Sequence, residues 1–567
     1  MNRSWDRRAM LRAGILGATA AGLGQWPAWA QTGTPGITDP LPEETGGDIH
    51  LRIAPATMRI DGRDRPAIGI NGGAPAPILR LREGRPVRIR VDNMLDEETS
   101  LHWHGLILPF QMDGVPGVSF PGIAPRSTFV YEFPIIQAGT YWYHSHSGLQ
   151  EQLGLYGPIV IDPAGTDPIA SDRQHVVMLS DHSRLSPHAI FRKLKQEPGY
   201  FNRQRQTLAG LLAGRDQGLK DRLDWGAMRM DPTDISDVTG STYDYLVNGH
   251  GPRDNWTALF RPGERVRLRL INASAMTIFN VRIPGLKLTV VQADGQDVRP
   301  VTVDELQIAV AETYDLIVEP AEDRAYTIVG EAVDRSGMAR ATLAPRPGMA
   351  AAVPPLRRRP VADMADMGMD MGGMDHGAMG HSMDMSMRNP ANAPTVTMGP
   401  GVQTISPMPK DRTGEPGQGL ADAGHRVLVY RDLVARDRNP DARAPARSID
   451  VHLTGNMERY MWSFDGKTLS QARDPIPIRT GERVRVNLIN DTMMAHPIHL
   501  HGHFFELVTG HGDHAPRKHT VNVAPGGLVS FDVTGIEGDW AFHCHMLYHM
   551  HAGMMRVVQV RAEGDAA

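Results

Sequence analysis

A pattern of alternating arginine and valine, opened by a glycine turn and closed by asparagine, occurs three times along the chain. Arg82-Glu83-Gly84-Arg85-Pro86-Val87-Arg88-Ile89-Arg90-Val91-Asp92-Asn93 returns as Arg261-Pro262-Gly263-Glu264-Arg265-Val266-Arg267-Leu268-Arg269-Leu270-Ile271-Asn272. It returns again as Arg479-Thr480-Gly481-Glu482-Arg483-Val484-Arg485-Val486-Asn487-Leu488-Ile489-Asn490. Apolar and charged residues alternating with a period of two mark a half-exposed strand. A second turn precedes each copy: Asn71-Gly72, Asn248-Gly249 and Asp465-Gly466. A repeat of this kind is one supersecondary unit used three times. It implies three homologous β-sandwiches, at 48–163, 164–345 and 426–562. Short β-branched apolar runs, with 59 glycines and 43 prolines to break them, fit an all-β chain. The stretch 185–240 is richer in Arg, Lys, Leu and Gln and reads as a helical insertion in the second unit. Residues 346–425 read as a linker of Pro, Gly and Met without a packed core.

The chemistry concentrates near the C-terminus, in His543-Cys544-His545-Met546-Leu547-Tyr548-His549-Met550-His551-Ala552-Gly553-Met554. Cys544 is the single cysteine. Asp539-Trp540-Ala541-Phe542 leads in as a buried strand. Side chains alternate between the faces of a strand, so His543 and His545 point one way and Cys544 the other. Two imidazoles thus serve one metal site while the thiolate serves another. Cys544 with His549 and Met554 supplies thiolate, imidazole and a weak axial thioether, the soft donors of a blue-copper centre. A second imidazole comes from His496-Pro497-Ile498-His499-Leu500-His501. There His499 and His501 share a face, and His496 falls on the other, unless Pro497 disturbs the strand. His102-Trp103-His104 and His144-Ser145-His146 add two more pairs. Eight histidines in four i, i+2 pairs fit a cluster of several coppers, fed by two domains. The pairs follow the repeat in its first and third copies. In the second, Asn272 is followed by Ala273-Ser274-Ala275-Met276-Thr277, so the middle unit is read as a spacer without copper.

These four motifs, in this order, resemble those of the multicopper oxidases, and they span both ends of the mature chain. The tract Gln111-Met112-Asp113-Gly114-Val115-Pro116-Gly117, with Gly139-Thr140-Tyr141-Trp142-Tyr143 after it, is most similar to the bacterial copper-resistance branch of that family. The resemblance implies three cupredoxin-like Greek-key sandwiches and four coppers per chain. It implies type 1 copper at His496, Cys544, His549 and Met554, and type 2 copper at His102 and His499. It implies a type 3 pair at His104, His144, His146, His501, His543 and His545. In the mechanism it implies, a substrate electron enters at type 1 copper and passes through Cys544 to His543 and His545. Dioxygen at the three-copper cluster takes four electrons and four protons to become two waters. Asp113 matches the family's acidic position near the cluster. Where many relatives carry a second acid, after the type 1 histidine, this chain has Met550 and His551.

Residues 1–30 read as an export signal. Asp6-Arg7-Arg8-Ala9-Met10-Leu11 is a twin-arginine pattern, Leu11 to Leu23 is apolar, and Ala28-Trp29-Ala30 is a cleavage site that leaves Gln31 first. The apolar run is shorter than the ~20 residues a membrane span needs. The expected partner is therefore the twin-arginine export machinery, the expected location periplasmic, and no stable membrane span is expected. One cysteine allows no internal disulfide in an oxidising compartment, which leaves metal to hold the thiol. A net charge of −5, with no basic block beyond the signal except Arg357-Arg358-Arg359, argues against nucleic acid.

The linker's centre carries Met364, Met367, Met369, Met371, Met374, Met379, Met383, Met385 and Met387, with His376 and His381 among them. Exposed methionine oxidises readily, and thioether selects Cu(I). The segment is read as a place for additional Cu(I). With the closer resemblance it favours Cu(I), oxidised to Cu(II) with O2 as acceptor, as the substrate. A laccase-like phenol oxidase and a copper-sequestering protein without turnover are the other readings.

Overall fold

The computed structural model describes residues 36–368 and 387–562. The export signal and the core of the Met-rich segment, 369–386, lie outside the described residues. Six β-sheets pair into three cupredoxin-like Greek-key sandwiches. The first runs from the strand Glu43–Thr45, which pairs parallel with Ile78–Arg82, to Tyr156–Asp162. The second runs from Arg173–Ser183 to Met338–Ala344, and the third holds the strands from Arg447–Asn456 to Met555–Arg561. Among the described residues no helix is long and apolar enough to cross a membrane.

The repeated segment occupies the same place in each sandwich. Pro86–Asn93 pairs parallel with Asp48–Ile60 and antiparallel with Thr128–Pro134. Val266–Asn272 does so with Arg173–Ser183 and Thr313–Val318, and Arg483–Asn490 with Arg447–Asn456 and Gly527–Thr534. The turns before it also recur. Asn71-Gly72, Asn248-Gly249 and Asp465-Gly466 all have positive φ at both residues, the conformation of a tight hairpin turn. The side-chain oxygens of Asn71, Asn248 and Asp465 accept from the N–H of Arg52, Met178 and His452 at 2.8–2.9 Å.

The closing asparagine is a buried staple. Asn93 Nδ2 donates to the carbonyls of Glu97, Ile123 and Ala124. Asn272 Nδ2 donates to Thr277 and Ile308, and Asn490 Nδ2 to Met494, Val523 and Ala524. Each Oδ1 accepts from the N–H two residues on, the short-range bond that makes Asn a turn residue. The loop that follows each staple leads to a histidine pair in the first and third sandwiches.

Two sequence expectations are corrected. The repeated strand is half-exposed in the first sandwich, where Arg88 and Arg90 face solvent, but buried in the second. Arg267 and Arg269 are 2% and 3% exposed. The reason is a domain contact: Arg269 donates to Thr140 of the first sandwich at 2.8 Å, and both arginines meet the buried Asp315. The linker 346–425 was expected to lack a core. Its described flanks pack. Ala393, Val396, Val402 and Ile405 form a small apolar cluster, and Met367 is buried. Thr404 and Ser406 bond to Asp491, and Arg357 is paired with Glu305 and Glu331. Low complexity is confined to the middle of the segment, and its ends carry enough apolar side chains to dock. The stretch 185–240 contains the helices Pro187–Gln196, Leu208–Leu212 and Leu219–Ala227.

Candidate metal centres

The strand His102–His104 lies antiparallel to Gly139–His144, with His102 opposite His144. In the third sandwich His496–Leu500 lies antiparallel to Gly538–Cys544, with His499 opposite His543. Two sheets thus present cross-strand histidine pairs, and the sandwiches meet so that these face one another. Pro497 does not interrupt its strand, and its carbonyl accepts from the His545 N–H at 2.7 Å.

Eight imidazoles converge. His104 stacks on His499 with centroids 3.8 Å apart, and His102 lies 3.9 Å from His501. His545 lies 4.9 Å from both His104 and His144. His543 Nε2 is 2.9 Å from His501 Nε2 and 3.3 Å from His146 Nε2. The outward nitrogens are taken. His102 Nδ1 meets the Asp113 carbonyl at 2.7 Å, and His501 Nδ1 meets Asp113 Oδ2 at 2.8 Å. His144 Nδ1 meets Glu151 Oε2 at 2.8 Å, His499 Nδ1 the His519 carbonyl at 2.6 Å, and His543 Nδ1 the Cys544 carbonyl at 2.9 Å. His104 is turned the other way, with Nε2 on Thr520 Oγ1 at 3.2 Å. Each acceptor fixes the tautomer of its ring. The inward nitrogens of His102, His104, His144 and His499, and both nitrogens of His545, are buried without a partner.

This donor set fits metal. With both Nδ1 atoms donating, the facing Nε2 atoms of His501 and His543 present lone pairs to each other at 2.9 Å. A cation between them turns that repulsion into ligation. Burial holds His104, His144, His146, His499, His501 and His545 well below the ordinary imidazole range, and the neighbouring rings add to it. Burial also pushes His543 down to about 4. These seven rings are therefore neutral, as ligands must be.

Cys544 points to the opposite face. Its Sγ is 3.6 Å from His496 Nδ1 and 3.7 Å from His549 Nδ1, and those nitrogens are 3.2 Å apart. His496 Nε2 is held by Thr492 Oγ1 at 2.8 Å, and His549 Nε2 by Asp237 Oδ2 at 2.6 Å. Both Nδ1 lone pairs are left facing the sulfur. Burial raises the thiol of Cys544, a penalty that a bound cation removes by taking the thiolate. Met554 is buried, its carbonyl accepting from the Cys544 N–H and its N–H donating to the His549 carbonyl. Trp462 stacks on His549 at 4.1 Å, and Trp142 on His144 at 4.3 Å.

The eight histidines of the four pairs fall into the first group, and His496 and His549 join Cys544 in the second, with Met554 tied to Cys544 and His549 through its backbone. Asp113 sits behind the rings, bridging His102 and His501 from opposite domains. Sequence reasoning missed Asp237, Glu151, Thr492 and the His519–Thr520 pair. They are isolated side chains that no spacing rule connects to the histidines. The middle sandwich is also more than a spacer, because Asp237 belongs to its insertion.

The chain matches multicopper oxidase family models over residues 52–166, 217–353 and 442–564. It is 48% identical to the copper resistance protein A homolog of Pseudomonas syringae pv. tomato, across 98% of this chain and 99% of that one. Copper resistance protein A of Escherichia coli is 47% identical over 98% of this chain and 99% of its own. Among solved structures, a multicopper oxidase that functions in iron import superposes with a TM-score of 0.64 at 20% identity, covering 91% of this chain and 90% of that one, a likeness of fold. The chain belongs to the multicopper oxidase family, and it is an oxidase whose cofactor is copper.

Proposed function

We propose that this enzyme serves copper resistance by oxidising Cu(I) to Cu(II) with dioxygen: four Cu(I), four protons and one O2 give four Cu(II) and two waters. His496, Cys544, His549 and Met554 would hold type 1 copper. His102 and His499 would hold type 2 copper, and the other six histidines a type 3 pair. Copper at these positions supplies one-electron chemistry, collecting four electrons for dioxygen. The peptide from His543 to His545 joins the two groups through Cys544 and is the shortest covalent route between them. Asp113 Oδ1 is buried behind the cluster, 3.3 Å from His102 Nδ1, where a proton is needed. The name of the Pseudomonas and Escherichia relatives supports the copper-resistance role. The twin-arginine signal supports export to the periplasm, and the Met-rich segment supports a supply of Cu(I).

The observation that carries the substrate assignment is the edge of His549. It meets the carboxylate of Asp237, itself 3% exposed and also bonded by the Tyr460 hydroxyl at 2.9 Å. Asp234 lies beside it, its carboxyl raised well above the usual range by burial and then by Asp237 and Asp231. The helical insertion roofs this place, with Phe191 stacked on Tyr548. The charge of Asp237, one imidazole ring away from Cys544, suits a small cation as electron donor better than a neutral phenol.

Oxygen uptake by the copper-loaded enzyme tests the reading. Rapid uptake with Cu(I), and slow uptake with a phenol in the absence of added copper, is expected. Equal or faster turnover of the phenol would mark a laccase-like oxidase, and no uptake with either would mark a sequestering protein.

A further inference from the structure

Ring nitrogens of His104, His499 and His519 gather closely enough to resemble a further metal triad. The position between them is already filled. Thr520 Oγ1 lies 3.2 Å from His104 Nε2, 3.3 Å from His499 Nδ1 and 3.1 Å from His519 Nδ1. His499 Nδ1 donates its proton to the His519 carbonyl and so has no lone pair to offer. The nitrogens of His104 and His499 in this group are the outward ones, on rings whose other nitrogens face the copper cluster. The arrangement is a hydrogen-bond hub, and it fixes one histidine from the first sandwich and one from the third.

The hub is held from the middle sandwich. Asp294 is fully buried, in a left-handed conformation with φ of 48°. Its Oδ2 accepts from the N–H groups of His519 and Thr520, both at 3.2 Å, and is 3.1 Å from Lys518 Nζ. Its Oδ1 accepts from the Thr313 N–H at 3.0 Å. Lys518, also fully buried, has a second carboxylate partner, Glu312 Oε1, at 3.1 Å. Glu312 in turn takes the Tyr430 hydroxyl at 2.7 Å. Burial works against charge at both Asp294 and Lys518. Its neighbours His519 and Lys518 nevertheless hold the Asp294 carboxyl below its usual range, and Asp294 and Glu312 hold the Lys518 ammonium above its own. A buried ion pair of this sort is costly to half-remove. It anchors the backbone that aims His499, so the middle sandwich reaches the copper cluster through two peptide N–H groups.

We propose that Asp294 is a positioning residue for the copper shared by His102 and His499: it clamps the His519–Thr520 backbone, whose carbonyl and hydroxyl set the tautomers of His499 and His104. The proposal rests on the assignment of His102 and His499 to one copper. The test uses the full-length, copper-loaded enzyme dialysed against a graded series of chelator. Type 2 copper is read by its electron paramagnetic resonance signal, and the type 1 site by its visible thiolate band. Asp294→Asn keeps the shape and loses the charge; Thr520→Val removes only the hydroxyl. Both are expected to lose the type 2 signal at about 10–100-fold lower chelator than the parent, the usual cost of an outer-shell partner, with the type 1 band retained. Thr520→Ser restores the parent's resistance. A His102→Asn arm checks the ligand assignment. If it spares the type 2 signal, that assignment has failed, and the clamp with it. If it removes the signal while Asp294→Asn and Thr520→Val hold copper as the parent does, the clamp alone is wrong. Loss of both copper signals in parallel, without rescue by serine, would make Asp294 a general structural residue and overturn the proposal too. Should Asp294→Asn fail to fold, the valine and serine pair decides alone.

Discussion

Asp237→Asn isolates the contribution of one charge to the proposed type 1 site. Asp237 Oδ2 accepts from His549 Nε2 at 2.6 Å, across the ring from the nitrogen that faces Cys544. Adding the width of the ring and a metal–nitrogen bond, each about 2 Å, puts the carboxylate roughly 6.5 Å from a bound ion. At an effective dielectric of about 20, a unit charge at that distance is worth about 2.5 kcal/mol. For one electron, at ~59 mV per tenfold and ~1.4 kcal/mol per tenfold, this is about 100 mV. A negative charge favours Cu(II) over Cu(I), so its loss raises the reduction potential. The asparagine oxygen still accepts a hydrogen bond, and its dipole returns part of the effect, leaving an upward shift of about 50–100 mV. Redox titration of the visible thiolate band measures this directly, and folding is checked on the same sample. A potential that stays at the parent value, or falls, would refute the role given to Asp237.

Cys544→Ser should fold, because the side chain is buried and nearly isosteric, yet lose the thiolate band and bring copper-dependent oxygen uptake to background; colour persisting in this variant would remove the type 1 assignment. Deleting 369–386, which leaves the buried Met367 and the Met387 carbonyl bonded by Ile405 in place, should lower Cu(I) oxidation several-fold more than phenol oxidation, and equal losses would end the supply role. The copper-free protein should weaken in acid. Its cluster imidazoles are held well below their ordinary value by burial and then by each other, so below about pH 6.5 the unfolded chain binds protons that the fold refuses. Stability from these groups is independent of pH above that value and falls below it, by up to about 1.4 kcal/mol per pH unit for each histidine. Thermal unfolding of chelated protein at about pH 7.5 and 5.5 checks this, with the copper-loaded enzyme as the less sensitive control; a flat midpoint would contradict the neutral-ring picture.

Parity along a strand is a local property, so the separation of Cys544 from His543 and His545 was legible from three adjacent letters. So was the grouping of His499 with His501 against His496, and Pro497 did not spoil it. The three buried asparagines were visible as a repeat, though not as staples, since their acceptors lie up to some thirty residues on. Thr520 reaches His104 across 416 positions and Asp237 reaches His549 across 312. Those contacts depend on how sandwiches dock, which no periodicity encodes. The same docking buried Arg267 and Arg269, whose alternation with apolar residues reads as a solvent-facing strand. The flanks of the Met-rich segment misled for another reason: composition averaged over 346–425 hid Val396, Val402 and Ile405 among glycines and prolines.

Ligands drawn from His102 and from His545 bracket nearly the whole polypeptide, so no fragment released early in synthesis contains a complete cluster. Long-range closure of this kind comes late, after the local hairpins have formed. The cluster's occupancy is thus a readout of finished chains: a product truncated before the strand Gly538–Cys544 can be well folded in its first two sandwiches, with His102 facing His144, and still lack His543 and His545.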